Sequence, residues 1–374
     1  MNKTDALVKH TSELIKIASL PGHERSVADY IFTTLVVCGA KPQKQSGNVV
    51  VHLKGVDNTK AVIFDAHMDT VSPGALSQWK YPPYGKDAGQ IHENKIFGLG
   101  ASDAKSSIAV LLTLAEEYTK DTPPIDVWFL FATEEEIGGD GTKRFLDWFL
   151  QKGYKDKYIE LSCVICEPTD MEEVRIGHRG NMNIMITKRG ESGQASESHL
   201  VKDQAIMGMV DIVEDLEKLE KNWQSKYVDQ ILGKPSIALT SINAGEPVSP
   251  NKFPDTCTIT IDVRTTPKLH KDAFMLVNKV ASKYKAEAKI IYNPAPPGVT
   301  SSDSKIVSVS KKLVGKIGVG RTSTDLCFFS EIGVPGIILG PGTQDSIHKP
   351  NEYCEIKKLE KALKTYTGIT KNLA

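Results

Sequence analysis

Short apolar runs separated by polar, glycine-rich breaks dominate the chain, and they come with two periods. Residues 61–65, 125–132, 161–166 and 336–339 are nearly continuous apolar stretches, as expected of strands buried on both faces of a parallel sheet. Residues 48–53 predict a further strand. Residues 6–18 place Leu7, Leu14, Ile15 and Ile17 on a helical repeat, and Pro21-Gly22 ends it. Helices are also predicted over 24–37 and from 108. From residue 183 the rhythm changes: strand 183–187, helix 201–219, strands 237–242 and 257–263, helix 273–284 and strand 288–292 follow in βαββαβ order, which is ferredoxin-like. The expected architecture is therefore α/β. Residues 1–179 and 294–374 form one domain with a mixed, mostly parallel sheet, and an α+β domain over 180–293 interrupts it.

The apolar runs end in groups that carry chemistry. Run 61–65 leads into His67 and Asp69, two residues apart and so on one side of a strand. Run 125–132 leads into Glu134-Glu135-Glu136, three carboxylates that repel one another unless something positive lies beside them. Run 161–166 leads into Glu167, and 336–339 into a loop carrying His348. Asp103 stands at a helix entrance, where it could serve as an N-cap or offer one oxygen to each of two cations. In open α/β sheets, ligands bind at the carboxyl ends of strands, so these groups form one candidate site. The long loop 71–100, with Trp79, is of the kind that usually carries function.

Composition narrows the field. The chain has 374 residues, with 46 Lys+Arg against 46 Asp+Glu, so no polyanionic partner such as nucleic acid is indicated. No apolar run approaches the roughly 20 residues of a membrane span, and residues 1–5 do not open a signal core. The six cysteines are scattered through apolar contexts, which fits reduced thiols and a cytoplasmic setting.

His67-Met68-Asp69-Thr70, Gly98-x-Gly100-Ala101-x-Asp103-x-Lys105, Glu134-Glu135-Glu136-Ile137-Gly138, Cys166-Glu167-Pro168-Thr169 and Gly340-Pro341-Gly342 leading to His348-x-Pro350-Asn351-Glu352 span nearly the whole chain. In order and spacing they resemble the dinuclear zinc peptidase and deacylase family of acetylornithine deacetylase, succinyl-diaminopimelate desuccinylase, aminoacylase and carboxypeptidase G. The resemblance implies a zinc-exopeptidase-like catalytic domain and a ferredoxin-like lid and dimerisation domain. It implies two Zn2+ ions, replaceable by Co2+ or Mn2+, with His67 and Glu167 on one, Glu136 and His348 on the other, and Asp103 between them. Asp69 would support His67, Glu135 would be the general base, and the peptide bond after Asp103 would be cis. Gln194, Asn251, Arg264, Ser323 and Thr324 would contact substrate, although the family usually has His where this chain has Gln194. The expected activity is hydrolysis of an N-acyl amino acid by a cytoplasmic homodimer. A dipeptidase or carboxypeptidase with the same chemistry, and an inactive metal-retaining homologue, are the alternatives.

Overall fold

The computed structural model describes residues 2–374. Backbone contacts divide the described residues into two units, one running to residue 177 and taking up 298–320 and 324–374, the other of 178–297 and 321–323.

The first unit is built on a nine-stranded mixed sheet. In order across it lie Gln43–Gln45, Asn48–Leu53, Ile125–Ala132, Asp57–His67, Glu160–Ile165, Gly336–Ile338, Val174–His178 and Gly298–Val299, with Ile317–Gly320 also paired to Val174–His178. Its centre is parallel: Asp57–His67 lies between Ile125–Ala132 and Glu160–Ile165, and Gly336–Ile338 continues in the same sense. All eight residues of Ile125–Ala132 are buried, which explains why that stretch is apolar, Asp126 excepted, without alternation. One face packs Ile63, Trp128, Leu130, Cys163 and Ile165 against Phe145, Leu146 and Phe149 of helix Asp140–Gln151. Because the four central strands run the same way, the turns after His67, Ala132, Ile165 and Ile338 all emerge at one edge of the sheet. The peptide bond between Asp103 and Ala104 is cis.

The second unit carries the four-stranded antiparallel sheet Ser236–Ala244, Thr256–Thr265, Gly180–Arg189, Ala286–Ile290 in that spatial order. Helices Ala205–Lys226 and His270–Lys283 cover it through Met209, Ile212, Trp223, Ala273 and Val277. The strand Thr256–Thr265 alternates strictly between buried and half-buried residues, the period that its sequence announces. The helix expected from residue 201 begins at Ala205 instead, because Ala195–Leu200 forms a separate 3-10 turn ahead of it. The long loop 71–100 is partly structured: Gln90–His92 and Lys95–Phe97 form a hairpin whose third partner, Tyr353–Glu355, comes from far along the chain.

Candidate metal centre

Seven of the groups singled out in the sequence converge at the carboxyl edge of the main sheet. His67 closes its strand opposite Ala132, almost fully buried. Its Nδ1 lies 2.9 Å from the backbone carbonyl of Asp69. A carbonyl can only accept, so Nδ1 carries a proton, and in the neutral ring that leaves the lone pair on Nε2, the tautomer a metal ligand needs. That Nε2 faces Asp103 Oδ1 at 3.1 Å and Glu167 Oε1 at 3.3 Å. The other oxygen of Asp103, Oδ2, lies 3.2 Å from His348 Nε2, which in turn lies 3.2 Å from Glu136 Oε1. Asp103 thus stands between two imidazoles, one oxygen toward each, and each imidazole has a second carboxylate of its own. Ligand atoms of His67, Asp103 and Glu136 all fall within 4.8 Å of one another.

Asp69 is fully buried, but its carboxylate has different partners from those expected. Oδ1 accepts from the backbone N–H of Glu135 at 3.1 Å and Oδ2 from that of Glu136 at 3.0 Å. Its distance to His67 Nδ1 is 3.5 Å, too long for a good hydrogen bond. The Asp69 backbone orients the histidine, and its side chain organises the glutamate turn. That turn is sharp: Glu134 and Gly139 both adopt left-handed backbone conformations. Glu134 is set apart chemically, its carboxylate held by Arg144 at 2.7 Å.

The electrostatics describe a site short of positive charge. Burial, then the charge of Glu167, raises the Glu135 carboxyl well above its usual range. Burial and Asp103 do the same to Glu167. Burial alone would depress His67, yet Glu167, Asp103 and Asp69 together raise it far above an ordinary imidazole. His348 is lifted to about 10 by its hydrogen bonds to Asp103 and Glu136. Crowded carboxylates that hold protons on both histidines are what a site built around cations shows when only its own charges are counted. The donor set of imidazole nitrogen and carboxylate oxygen suits zinc or a similar divalent ion, so the residues fit.

Three neighbours went unread in the sequence. Thr142 Oγ1 lies 3.1 Å from Asp65 Oδ2 and 2.7 Å from Asp325 Oδ2. A hydroxyl has one proton to give, so one of the two acids must itself donate. Burial, then Asp325, raises Asp65 well above the carboxylate range, and burial raises Asp325 to about 7. Asp65 Oδ1 has no partner at all, which also favours a neutral acid there. A charged residue inside the apolar run 61–66 was the available signal for Asp65; nothing local marks Thr142 or Asp325.

The proposed substrate residues are divided between the two units. Gln194 and Asn251 are exposed in the second unit, where Asn251 accepts the Ala195 N–H at 2.8 Å. Arg264, on the strand Thr256–Thr265, makes a two-pronged ion pair with Asp262, at 2.7 and 3.0 Å. Ser323 groups with the second unit and buried Thr324 with the first.

A mixed-sheet domain with this cluster at the ends of its parallel strands defines a candidate metal centre. Comparison with known proteins agrees. The model of peptidase family M20/M25/M40 matches residues 63–372, and the chain belongs to that family, whose members are metal-dependent hydrolases of amide bonds. It is similar to the succinyl-diaminopimelate desuccinylase of Dinoroseobacter shibae, 25% identical with 97% of each chain covered. It is also similar to the enzyme of the same name from Cereibacter sphaeroides, at 27% identity over 68% of this chain and 66% of that one. Among solved structures, the aminopeptidase PepT of Bacillus cereus has the same fold, with a TM-score of 0.78 at 17% identity, covering 99% of this chain and 98% of that one. Among the described residues, no helix is long and apolar enough to cross a membrane.

Proposed function

We propose that the chain hydrolyses the amide bond of an N-acyl amino acid, in the manner of a desuccinylase or deacetylase, with two divalent ions at the strand-end cluster. The observation that carries this reading is the placement of Asp103 between two imidazoles, each with its own second carboxylate. His67 and Glu167 would hold one ion, His348 and Glu136 the other, with Asp103 shared; zinc is the ion proposed, and cobalt or manganese would substitute. When bound, such a pair supplies Lewis acidity, activating water and stabilising negative charge on the amide oxygen.

The chain's own residues do the rest. Glu135 stands beside Glu136 on the turn held by Asp69, and a carboxylate next to the cluster suits a general base that takes a proton from water and returns it to the departing amine nitrogen. Asp69 fixes the backbone on which Glu135 and Glu136 sit. His67 keeps its Nε2 lone pair toward the cluster because Nδ1–H is committed to a carbonyl. We assign substrate recognition to Gln194, Asn251, Arg264, Ser323 and Thr324, and self-association as a homodimer to the second unit. Gln194 can donate a neutral hydrogen bond but no proton, so it would steady the amide oxygen without titrating.

The test is metal content by mass spectrometry together with a panel of N-succinyl and N-acetyl amino acids and dipeptides. Two ions per chain and preferential cleavage of an N-acyl amino acid are expected. Preference for dipeptides would make the chain a peptidase, and metal without turnover a binding homologue.

A further inference from the structure

The last motif of the chain contains a carboxylate for which the proposed chemistry has no use. Glu352 is buried, 1% exposed, four residues after His348. Its Oε1 accepts from the backbone N–H of Ser102 at 2.7 Å and of Asp103 at 3.0 Å, and its Oε2 from that of Gly100 at 3.2 Å. Its own carbonyl accepts from Gly98 N–H at 2.9 Å. Every bond lands on the loop that delivers Asp103. Ser102 Oγ closes the same arrangement by donating to the Tyr353 carbonyl at 2.6 Å. Beyond Glu352, Tyr353–Glu355 is paired in register with Lys95–Phe97, so the segment cannot slide. The neighbouring Asn351 serves a different loop: its side-chain oxygen accepts from Lys80 N–H at 2.6 Å and Tyr81 N–H at 3.2 Å.

We propose that Glu352 is a positioning residue that aims Asp103, fixing the bridging carboxylate relative to His348 so that the two can share one ion. The inference rests on the two-ion reading above. Its physical basis is economy of reference. Asp103 and His348 are 245 positions apart in sequence yet 3.2 Å apart in space, and a shared ion tolerates little error in that gap. Referring both groups to one short segment, 348–352, removes the error that two independent loops would introduce. Glu352 acts on the metals only through the 100–103 backbone, in the way that outlying hydrogen bonds tune metal ligands elsewhere.

The experiment uses cobalt(II), whose visible absorption reports coordination, in titrations of the full chain followed by calorimetry. The wild type is expected to take two equivalents. Glu352→Ala should weaken one of the two sites at least tenfold and shift the cobalt bands. Glu352→Gln keeps one acceptor oxygen for Ser102 and Asp103 and should fall between. Asn351→Gly, which suits the left-handed backbone of that position, frees the 78–81 loop and should bind both ions as the wild type does. If Glu352→Ala does not fold, the Gln variant decides alone. A folded Glu352 variant with wild-type affinities and spectrum overturns the proposal, as does an equal loss in Asn351→Gly. A wild type that binds no cobalt overturns the two-ion reading itself, and its failure is thus distinct from that of Glu352.

Discussion

Replacing Asp69 separates two roles that are easily confused. The side chain is fully buried and spans the N–H groups of Glu135 and Glu136 at 3.1 and 3.0 Å, whereas His67 is oriented by the backbone carbonyl of the same residue. Asp69→Ala therefore removes two charge-assisted hydrogen bonds and leaves the histidine's partner in place. Such bonds contribute about 1.5–3 kcal/mol each, so about 3–6 kcal/mol is the ceiling. The glutamate turn is partly open to water, which can replace some of the loss, and about 2–4 kcal/mol of destabilisation is expected. Function should suffer more than stability. A shift of about 1 Å in a reacting group can cost about 100-fold, and Glu135 stands on the freed backbone. Kinetics and metal content measured on the same preparation are the assay. Asp69→Ala should lose about 100-fold in kcat/KM while the ion proposed on His67 and Glu167 is retained, and Asp69→Asn, which keeps one acceptor, about 10-fold. If the Ala variant instead loses the ion proposed on His67 and Glu167 while activity per bound ion stays constant, Asp69 works through His67 and the reasoning above is wrong.

Three further outcomes are expected. Glu135→Gln should abolish turnover while leaving metal content and melting temperature nearly unchanged; loss of metal would mean that Glu135, not Glu136, is the ligand. Asp126→Asn should cost about 2–4 kcal/mol in urea unfolding at neutral pH, because buried Asp126 accepts from Gly55 N–H, His52, Tyr158 and Lys157 at 2.8–2.9 Å. Burial opposes ionisation of Asp126, but these bonds outweigh it and hold its carboxyl below the usual range. Its contribution is then present above the unfolded value near pH 4 and lost as pH falls through the folded value, so wild type and variant should converge in acid; a gap that persists there would refute the assignment. Gly141→Ala should destabilise by several degrees in a thermal melt, since an added Cβ would sit 2.1 Å from the Thr133 carbonyl oxygen and push helix Asp140–Gln151 off the strand end; an unchanged melt would show that the helix start can shift freely.

How far the site could be read from sequence follows from the geometry of a parallel sheet. His67, Glu135, Glu136 and Glu167 each stand directly after an apolar run, so the strand end and the chemistry are adjacent in the text. Asp103 and His348 were legible by motif, since the turns that deliver them do not follow from periodicity. In the second unit the alternation of residues 257–263 marked a half-exposed strand, and Thr256–Thr265 is one. The same period of two places Asp262 and Arg264 on one face, so their ion pair was available to a reading that looked first to a substrate carboxylate for Arg264.

What stayed hidden has one physical cause: partners brought together across the chain leave no local pattern. Thr142 meets Asp325 across 183 positions, and Glu352 meets Ser102 across 250. The difference is not one of importance. A residue that touches a metal must have one of a few side chains, and that restriction makes it visible. A residue that supports such a ligand through the backbone needs only to be an acceptor at the right place, and the fold, not the residue type, chooses the place. Asp65 shows where such residues can still be suspected. A carboxyl inside a run of fully buried apolar residues is costly unless it is neutral or bonded, and here it sits two residues before His67, joined through Thr142 to Asp325. A polar residue in an otherwise unbroken core strand is thus a pointer to an unseen partner, here Thr142 and, through it, Asp325.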